Sequence, residues 1–250
     1  MSQVPAATRA LRVLRFLSSQ ADPVPVEAIM RACELPRSTT YHLVNAMIEE
    51  GFVVHLADER RYGLGVGAFE VGSGYSRQAP LQRIARRPLA QLVDRLGQSA
   101  HLAVLHGRDV LYIVEERAPG RQPLVTDVGV RLPAHLTASG RAIMAALPAG
   151  QVRALYPDRS AFTDRTGIGP QSPTALKATL AEARRLGHAT EAGEVTLGLS
   201  SVAVPVLDHN GHPVAAIAVT YAAADPAPPA AALSHCAGLL SQRLGARRLG

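Results

Sequence analysis

The chain has 250 residues, enough for one large or two modest domains with a substantial core, and a formal charge of +6. Residues 1–62 balance seven Arg against seven Asp or Glu, and the positive excess lies downstream, at +3 in residues 63–121 and +3 in residues 122–250. The basic total is therefore not itself a nucleic-acid footprint, and local arginine placement has to carry any such contact. Two cysteines far apart, Cys33 and Cys236, exclude a disulfide framework. Met1–Pro5 lacks the basic-then-apolar start of a signal peptide, and the alanine-rich stretch Ala222–Ala232 is broken by Pro226, Pro228 and Pro229. With no apolar run of about 18 residues, the expectation is a soluble, cytoplasmic protein without a membrane partner.

Ala10, Val13, Leu14 and Leu17 recur at helical spacing, while Arg9, Arg12 and Arg15 step along another side that reads first as a solvated face. After Pro23 and Pro25, the positions Val26, Ile29, Met30 and Cys33 mark a second helix, which Pro36 stops by disfavouring helical backbone in the residue before it. Ser38 is the expected cap of a third helix over Arg37–Glu50, closed by Gly51. Spacing puts Thr40, Leu43, Val44, Met47 and Ile48 on one side of that helix and Ser38, Tyr41, His42 and Asn45 on the other. The second set can donate to and accept from base edges and phosphates in a major groove. Phe52–Leu56, then Asp58-Glu59-Arg60-Arg61, then Tyr62 fit two short strands with a charged tip. Two short helices, a polar-edged third and a hairpin have the layout of a winged helix-turn-helix. The expected DNA contacts are Arg37, Ser38, Thr39, Thr40, Tyr41, His42 and Asn45 from the third helix, with Arg60 and Arg61 from the hairpin.

Gly63, Gly65, Gly67, Gly72 and Gly74 crowd the next segment. Gly65-Val66-Gly67 lacks the third glycine and the strand–helix frame of a nucleotide loop, so a linker helix is expected, with glycines permitting close helix approach or bending. A longer helix follows from Pro80 to about Leu96. The remainder alternates. Ala100–Leu105 and Val110–Glu115 pair across His106-Gly107-Arg108-Asp109, and Leu124–Val130 is a further strand. Helices are expected over Thr137–Leu147, Pro173–Leu186 and Ala231–Leu244. Val202–Leu207 and Val214–Tyr221 flank an Asn210-Gly211 turn. The fold class is α+β, an antiparallel sheet with helices packed on it after the winged module.

Nothing assembles a catalytic constellation. Gly198-Leu199-Ser200-Ser201-Val202 fails a nucleophile elbow at its last glycine, and Ser139 near His135 has no third partner. Asp208, His209 and His212 read as a solvated turn before a metal site, and no cofactor is implied.

The chain resembles the isocitrate-lyase-regulator (IclR) family of bacterial transcription factors over about residues 6–245. The marks are Leu35-Pro36-Arg37-Ser38-Thr39, the run Pro133-Ala134-His135-Leu136-Thr137-Ala138-Ser139-Gly140-Arg141-Ala142, and Gly187–Asp208 with Glu194, Gly198, Ser201 and Pro205 at the family's spacing. The resemblance implies a winged helix-turn-helix over residues 1–64, a dimerising linker helix over 65–79 and a GAF-like effector-binding domain over 80–250. It also implies double-stranded operator DNA as partner, a homodimer or dimer of dimers, and a small carboxylic acid effector, with no enzymatic activity. By the same resemblance, the amides of Ala138 and Ser139 hold the carboxylate at a helix start. Glu191, Leu199, Ser201, Ala218 and Thr220 line the pocket, and Leu124 and Leu132 supply an apolar wall.

The sequence departs from the family pattern at Glu191 (aspartate is frequent there), Ser201 (cysteine), Ala218 (serine) and Arg141 (lysine). The lost hydroxyl at 218 points to a ligand less polar than a two-carbon keto acid, for example an aromatic acid. Thr137 and Ser139 are equally readable as helix caps, Ser201 and Thr220 as satisfied sheet hydroxyls, and His135 as structural. A partner-docking scaffold without an effector, and a hydrolase, are the competing readings.

Overall fold

The structure is a computed structural model and describes residues 4–78, 80–120 and 126–246. The chain divides into two compact units, Met1–Ala79 and Pro80–Gly250.

The first unit runs α1 (Pro5–Ser18), β1 (Val24–Pro25), α2 (Val26–Cys33), α3 (Arg37–Glu49), β2 (Val53–Leu56), β3 (Arg61–Leu64) and α4 (Val66–Gln78). The apolar spacing of the three leading helices sets its core, where Val13, Ile29 and Val44 are fully buried beside Leu17, Met47 and Val53. Each such side chain contributes about 1.5–3 kcal/mol by leaving water. The α2–α3 turn is made by Glu34 in the left-handed region (φ 54°) and Leu35 N–H donating to Met30 O at 3.0 Å. The hairpin forms an antiparallel sheet of order β1-β3-β2. Two expectations need correction here. Pro36, not Ser38, occupies the N-cap of α3, and no side chain caps it. The glycines at 65 and 67 serve a close approach to a turn, not to a helix: Gly67 N–H donates to Gly51 O at 2.9 Å, and a Cβ at Gly65 would sit 2.3 Å from that carbonyl. The start of α4 is thereby fastened to the α3–β2 turn.

The second unit contains α5 (Pro80–Leu96), β4 (Ser99–His106), β5 (Asp109–Glu116), β6 (Arg131–Pro133), α6 (Ala138–Ala146), α7 (Ala149–Leu155), a 3-10 turn (Arg159–Ala161), α8 (Pro173–Leu186), β7 (Ala189–Ala192), β8 (Leu199–Leu207), β9 (Pro213–Ala222) and α9 (Ala230–Arg243). Its six strands form an antiparallel sheet of order β6-β5-β4-β9-β8-β7. α5 and α9 cover one face through Leu89, Leu92, Leu233 and Leu240 on Leu102 and Ile217. α6 and α8 cover the other through Ala142, Met144, Leu176 and Leu180 on Ala103 and Ala216. The strand expected over Leu124–Val130 is not found: residues 121–125 lie outside the described residues, and 126–130 make a turn around Gly129 (φ 91°) before β6 begins. Among the described residues no helix is long and apolar enough to cross a membrane.

Candidate functional site

In the first unit, α3 buries Val44 and Met47 and exposes Arg37, Ser38, His42 and Asn45. Tyr41 and Thr39 are half-buried, with Tyr41 packed at the core edge and the Arg37 guanidinium 5.7 Å from its ring centroid. That cation–π contact holds the first turn of α3 and its arginine in one place. Thr40 does not belong to the outward set. It is fully buried, and its hydroxyl donates to Pro36 O at 3.0 Å, so it secures the helix start from inside. The two hairpin arginines also divide. Arg60 sits in the exposed turn at φ 53°, whereas Arg61 lies within β3 and donates to Pro23 O at 2.9 Å, bracing the hairpin. Tyr62 stacks on His55 at 4.5 Å between centroids and stiffens the same hairpin. The exposed edge of α3 carries donors and acceptors and no acidic group in its first turn, leaving the helix N-terminus available to an anion.

In the second unit the site is set by sheet register. Glu191 pairs with Ser201, Ser201 with Thr220, and Thr220 with Ser99, so one row of polar residues crosses β7, β8, β9 and β4 on the side covered by α6. Above that row α6 begins. Thr137 is its N-cap, accepting from Gly140 N–H at 3.0 Å. Gly140 is required there because a Cβ would lie 2.2 Å from Ala134 O. The Ala138 and Ser139 amides are the other first-turn donors, which helix geometry leaves without an intrahelical acceptor. Between helix start and row is a cavity of about 20 Å³, room for one water molecule. Its lining includes Ala138, Ser139, Glu191, Leu199, Ser201, Ala218 and Thr220, which thus come together in space.

Other expectations fall elsewhere. Leu132 is buried in the core against α6 and does not line the cavity, and Leu124 lies outside the described residues. Tyr112, Thr126, Val195 and Thr196 line the cavity without having been singled out. Tyr112 could have been found, because alternation along Val110–Glu115 turns it to the same side as Val110. Val195 and Thr196 sit in a loop between Gly193 and Gly198, both at positive φ, where spacing carries no facing signal.

The polar chemistry is directional. Ser201 Oγ donates to Glu191 Oε1 at 2.7 Å and lies 3.0 Å from Thr220 Oγ1. Glu191 Oε2 and Ser139 Oγ are buried without a hydrogen-bond partner. The Tyr112 phenol is near enough to Ser139 for the hydroxyl to offset some of the upward push of burial, but no hydrogen bond of good geometry joins them. Burial, and after it the neighbouring Glu194 carboxyl, pushes the Glu191 carboxyl up to about 7, against the downward pull of Ser201 and Arg141. Arg141 is itself buried: Nε donates to His135 O at 2.8 Å, and Nη1 to Thr190 O at 2.8 Å and Glu194 Oε1 at 3.0 Å, while Nη2 is left without a partner. Glu194 Oε2 accepts from Ala192 N–H, and Thr166 Oγ1 donates to Gly193 O at 2.8 Å, so the loop after β7 is held at both ends of this network. Behind the cavity, Thr126 Oγ1 lies 2.7 Å from Nε2 of buried His101. His135 is packed between Tyr156 and Phe162 with Nε2 on Thr163 O at 3.0 Å, a structural placement in which desolvation holds its pKa down.

Among the described residues no group of His, Cys, Asp and Glu could hold a metal ion. Asp208 Oδ1 is taken by the Asn210 and His212 amides.

Comparison with known proteins covers both units. A model described as the IclR helix-turn-helix domain matches residues 6–57, and one described as the bacterial transcriptional regulator IclR C-terminal region matches residues 73–225. The glycerol operon regulatory protein of Streptomyces coelicolor is 31% identical over 247 residues, 96% of each chain. Among solved structures, the IclR of Thermotoga maritima aligns with a TM-score of 0.71 at 26% identity, covering 97% of this chain and 100% of that one. An IclR homologue of Microbacterium hydrocarbonoxydans complexed with 4-hydroxybenzoate aligns at 0.81 and 24% identity, covering 96% and 98%.

Proposed function

Because this chain belongs to the IclR family of bacterial transcriptional regulators, which are DNA-binding proteins and not enzymes, we propose that it is a cytoplasmic regulator whose operator affinity is set by a small carboxylic acid. In this reading residues 1–64 are the DNA-binding domain, 65–79 the linker helix and 80–250 the effector domain. A homodimer, alone or paired, presents two copies of α3 to successive major grooves of a palindromic operator. Arg37, Ser38, Thr39, Tyr41, His42 and Asn45 meet bases and phosphates. Arg60 grips the flanking backbone, and Arg61 holds the hairpin that carries it.

The acid's carboxylate sits on the Ala138 and Ser139 amides, where the helix dipole favours an anion. The observation that carries this assignment is the convergence of two partnerless buried polar groups, Ser139 Oγ and Glu191 Oε2, on one cavity at the start of α6. Buried polar atoms are nearly always satisfied, so a pair left open on residues lining one cavity supports a place for a ligand there. That a homologue of the same fold is complexed with 4-hydroxybenzoate supports an acid of this class. Since the cavity holds about 20 Å³, such an acid must select a state in which the pocket has opened. A ligand that binds two states unequally shifts DNA affinity, and DNA shifts ligand affinity by the same factor.

A thermal-shift series with small organic acids tests the effector. A melting temperature that climbs with acid concentration is expected. Flat curves for every acid favour a docking scaffold, and turnover of the acid would favour a hydrolase.

A further inference from the structure

We propose that Glu191 meets the effector as a proton donor, so that an anionic ligand enters this pocket together with one proton. The inference rests on the acid-binding reading above and specifies its chemistry.

The argument starts from what faces the site. The described lining residues are Tyr112 from β5, Thr126, Thr137 to Ser139 at the start of α6, Glu191 from β7, Val195 and Thr196 from the loop, Leu199 and Ser201 from β8, and Ala218 and Thr220 from β9. None is Lys, Arg or His. Arg141 is outside the lining, with Nη1 on Glu194 Oε1 and Nη2 buried without a partner. His101 is outside the lining, with Nε2 2.7 Å from the Thr126 hydroxyl and 3.6 Å from Glu115 Oε1, and Nδ1 buried without a partner. A carboxylate placed at the α6 N-terminus therefore has the Glu191 carboxyl beside it, with the Glu194 carboxyl and the Arg141 guanidinium next to Glu191 and no cation in the lining itself. Two like charges in a buried site cannot both stay ionised cheaply.

The hydrogen bonds say where the proton goes. Ser201 spends its hydrogen on Glu191 Oε1, which makes that oxygen the acceptor of the carboxyl group. Thr220 supplies the hydrogen that Ser201 can still accept, so the chain runs Thr220 to Ser201 to Glu191 Oε1. Oε2 is left to carry the proton; it has no hydrogen-bond donor on it, and the Glu194 carboxyl close to Glu191 favours keeping a proton there. Protonated there, Glu191 donates to a ligand oxygen while the Ala138 and Ser139 amides hold the anion from the helix side. Its carboxyl is already displaced to about 7 in the free protein, by burial first and by Glu194 second, so a neutral Glu191 is accessible at cellular pH.

The requirement on the ligand follows. It must offer an acceptor to Oε2, either its own second carboxylate oxygen or an adjoining carbonyl or phenolic oxygen. An ammonium or other cation there would instead need Glu191 ionised.

The test is calorimetric titration of the full-length protein with acetate, pyruvate and 4-hydroxybenzoate, at about pH 6 and about pH 8.5, each in two buffers of different ionisation enthalpy. The expected result is proton uptake near zero at the lower pH, approaching one per site at the higher, with Kd weakening by about tenfold per pH unit above 7 as the competent fraction falls. Glu191→Gln should abolish both the uptake and the slope. An acid that binds with no proton uptake and a flat pH profile overturns the proposal and leaves the acid-binding reading standing. A Kd that tightens as pH rises also overturns it, in favour of a cationic ligand. Failure of all three acids to bind at either pH counts against both readings. A ligand-free check is independent of the choice of acid: the infrared difference between wild type and Glu191→Gln should contain a protonated-carboxyl C=O band that titrates away near 7. Its absence at the lower pH removes the proposed donor.

Discussion

The polar edge of α3 and the polar row beneath α6 are both built for hydrogen bonding, yet they are made in opposite ways. The α3 edge is a property of one helix: residues that face outward do so because their neighbours three and four positions away face inward. The row beneath α6 belongs to no single element. Glu191, Ser201 and Thr220 are ten and nineteen residues apart, and only the register of three strands makes them adjacent. An edge of the first kind tolerates substitution in place, because each side chain is separately solvated. A network of the second kind is buried, and each member leaves a partner stranded when it is removed.

This contrast orders the expected effects. The largest comes from the buried network. Arg141→Ala strands the Glu194 carboxylate and two carbonyls, and should cost about 3–5 kcal/mol of stability by chemical denaturation. A loss under about 1 kcal/mol would mean the network is not held together as described.

Next is Glu191. Its folded carboxyl titrates near 7 against an ordinary value of 4.5. Through that window the folded state keeps a proton that the unfolded chain has lost, so stability declines as pH rises and levels off above 7. Glu191→Gln should remove the decline, making the variant more stable than wild type at high pH by on the order of 3 kcal/mol and least favoured at low pH. Parallel stability–pH curves for the two proteins would break the assignment.

On the exposed edge the effects move from stability to binding. Arg37→Ala and His42→Ala should each weaken operator binding by about 1–3 kcal/mol, roughly fivefold to 150-fold, with unchanged melting. Thr40→Ala should do the reverse, lowering melting through its lost bond to Pro36 without relaxing base preference. The smallest effect separates the hairpin arginines. Arg60→Ala should lower the salt slope of binding by about one, whereas Arg61→Ala should also destabilise the hairpin. Equal behaviour of the two would contradict the division between tip and brace.

The same contrast explains what was legible in the sequence. Helical periodicity located α3, and the proline and glycine punctuation bounded α8 residue for residue. It could not see α7, a two-turn helix whose apolar side is only the half-buried pair Val152 and Leu155, or β7, whose Ala189–Ala192 lacks β-branched character apart from Thr190. The cavity residues were reachable from the family resemblance, since spacing alone cannot align β7, β8 and β9. Tyr112 and Thr126 escaped even so, one hidden in an ordinary hairpin and the other in a segment read as strand. The Ser38 cap was misread, and the Arg61 brace on Pro23 O went unseen, for a shared reason: a sequence states which groups can bond, and the local backbone decides which of several partners lies within reach.

The central claim, that the cavity and the α3 edge answer to one equilibrium, is tested most directly by measuring its reciprocity. Operator affinity is read by fluorescence anisotropy with and without a saturating acid, and acid affinity by calorimetry with and without operator. The account predicts that the two factors are equal and differ from one. An acid that binds the protein and leaves operator affinity untouched would contradict it.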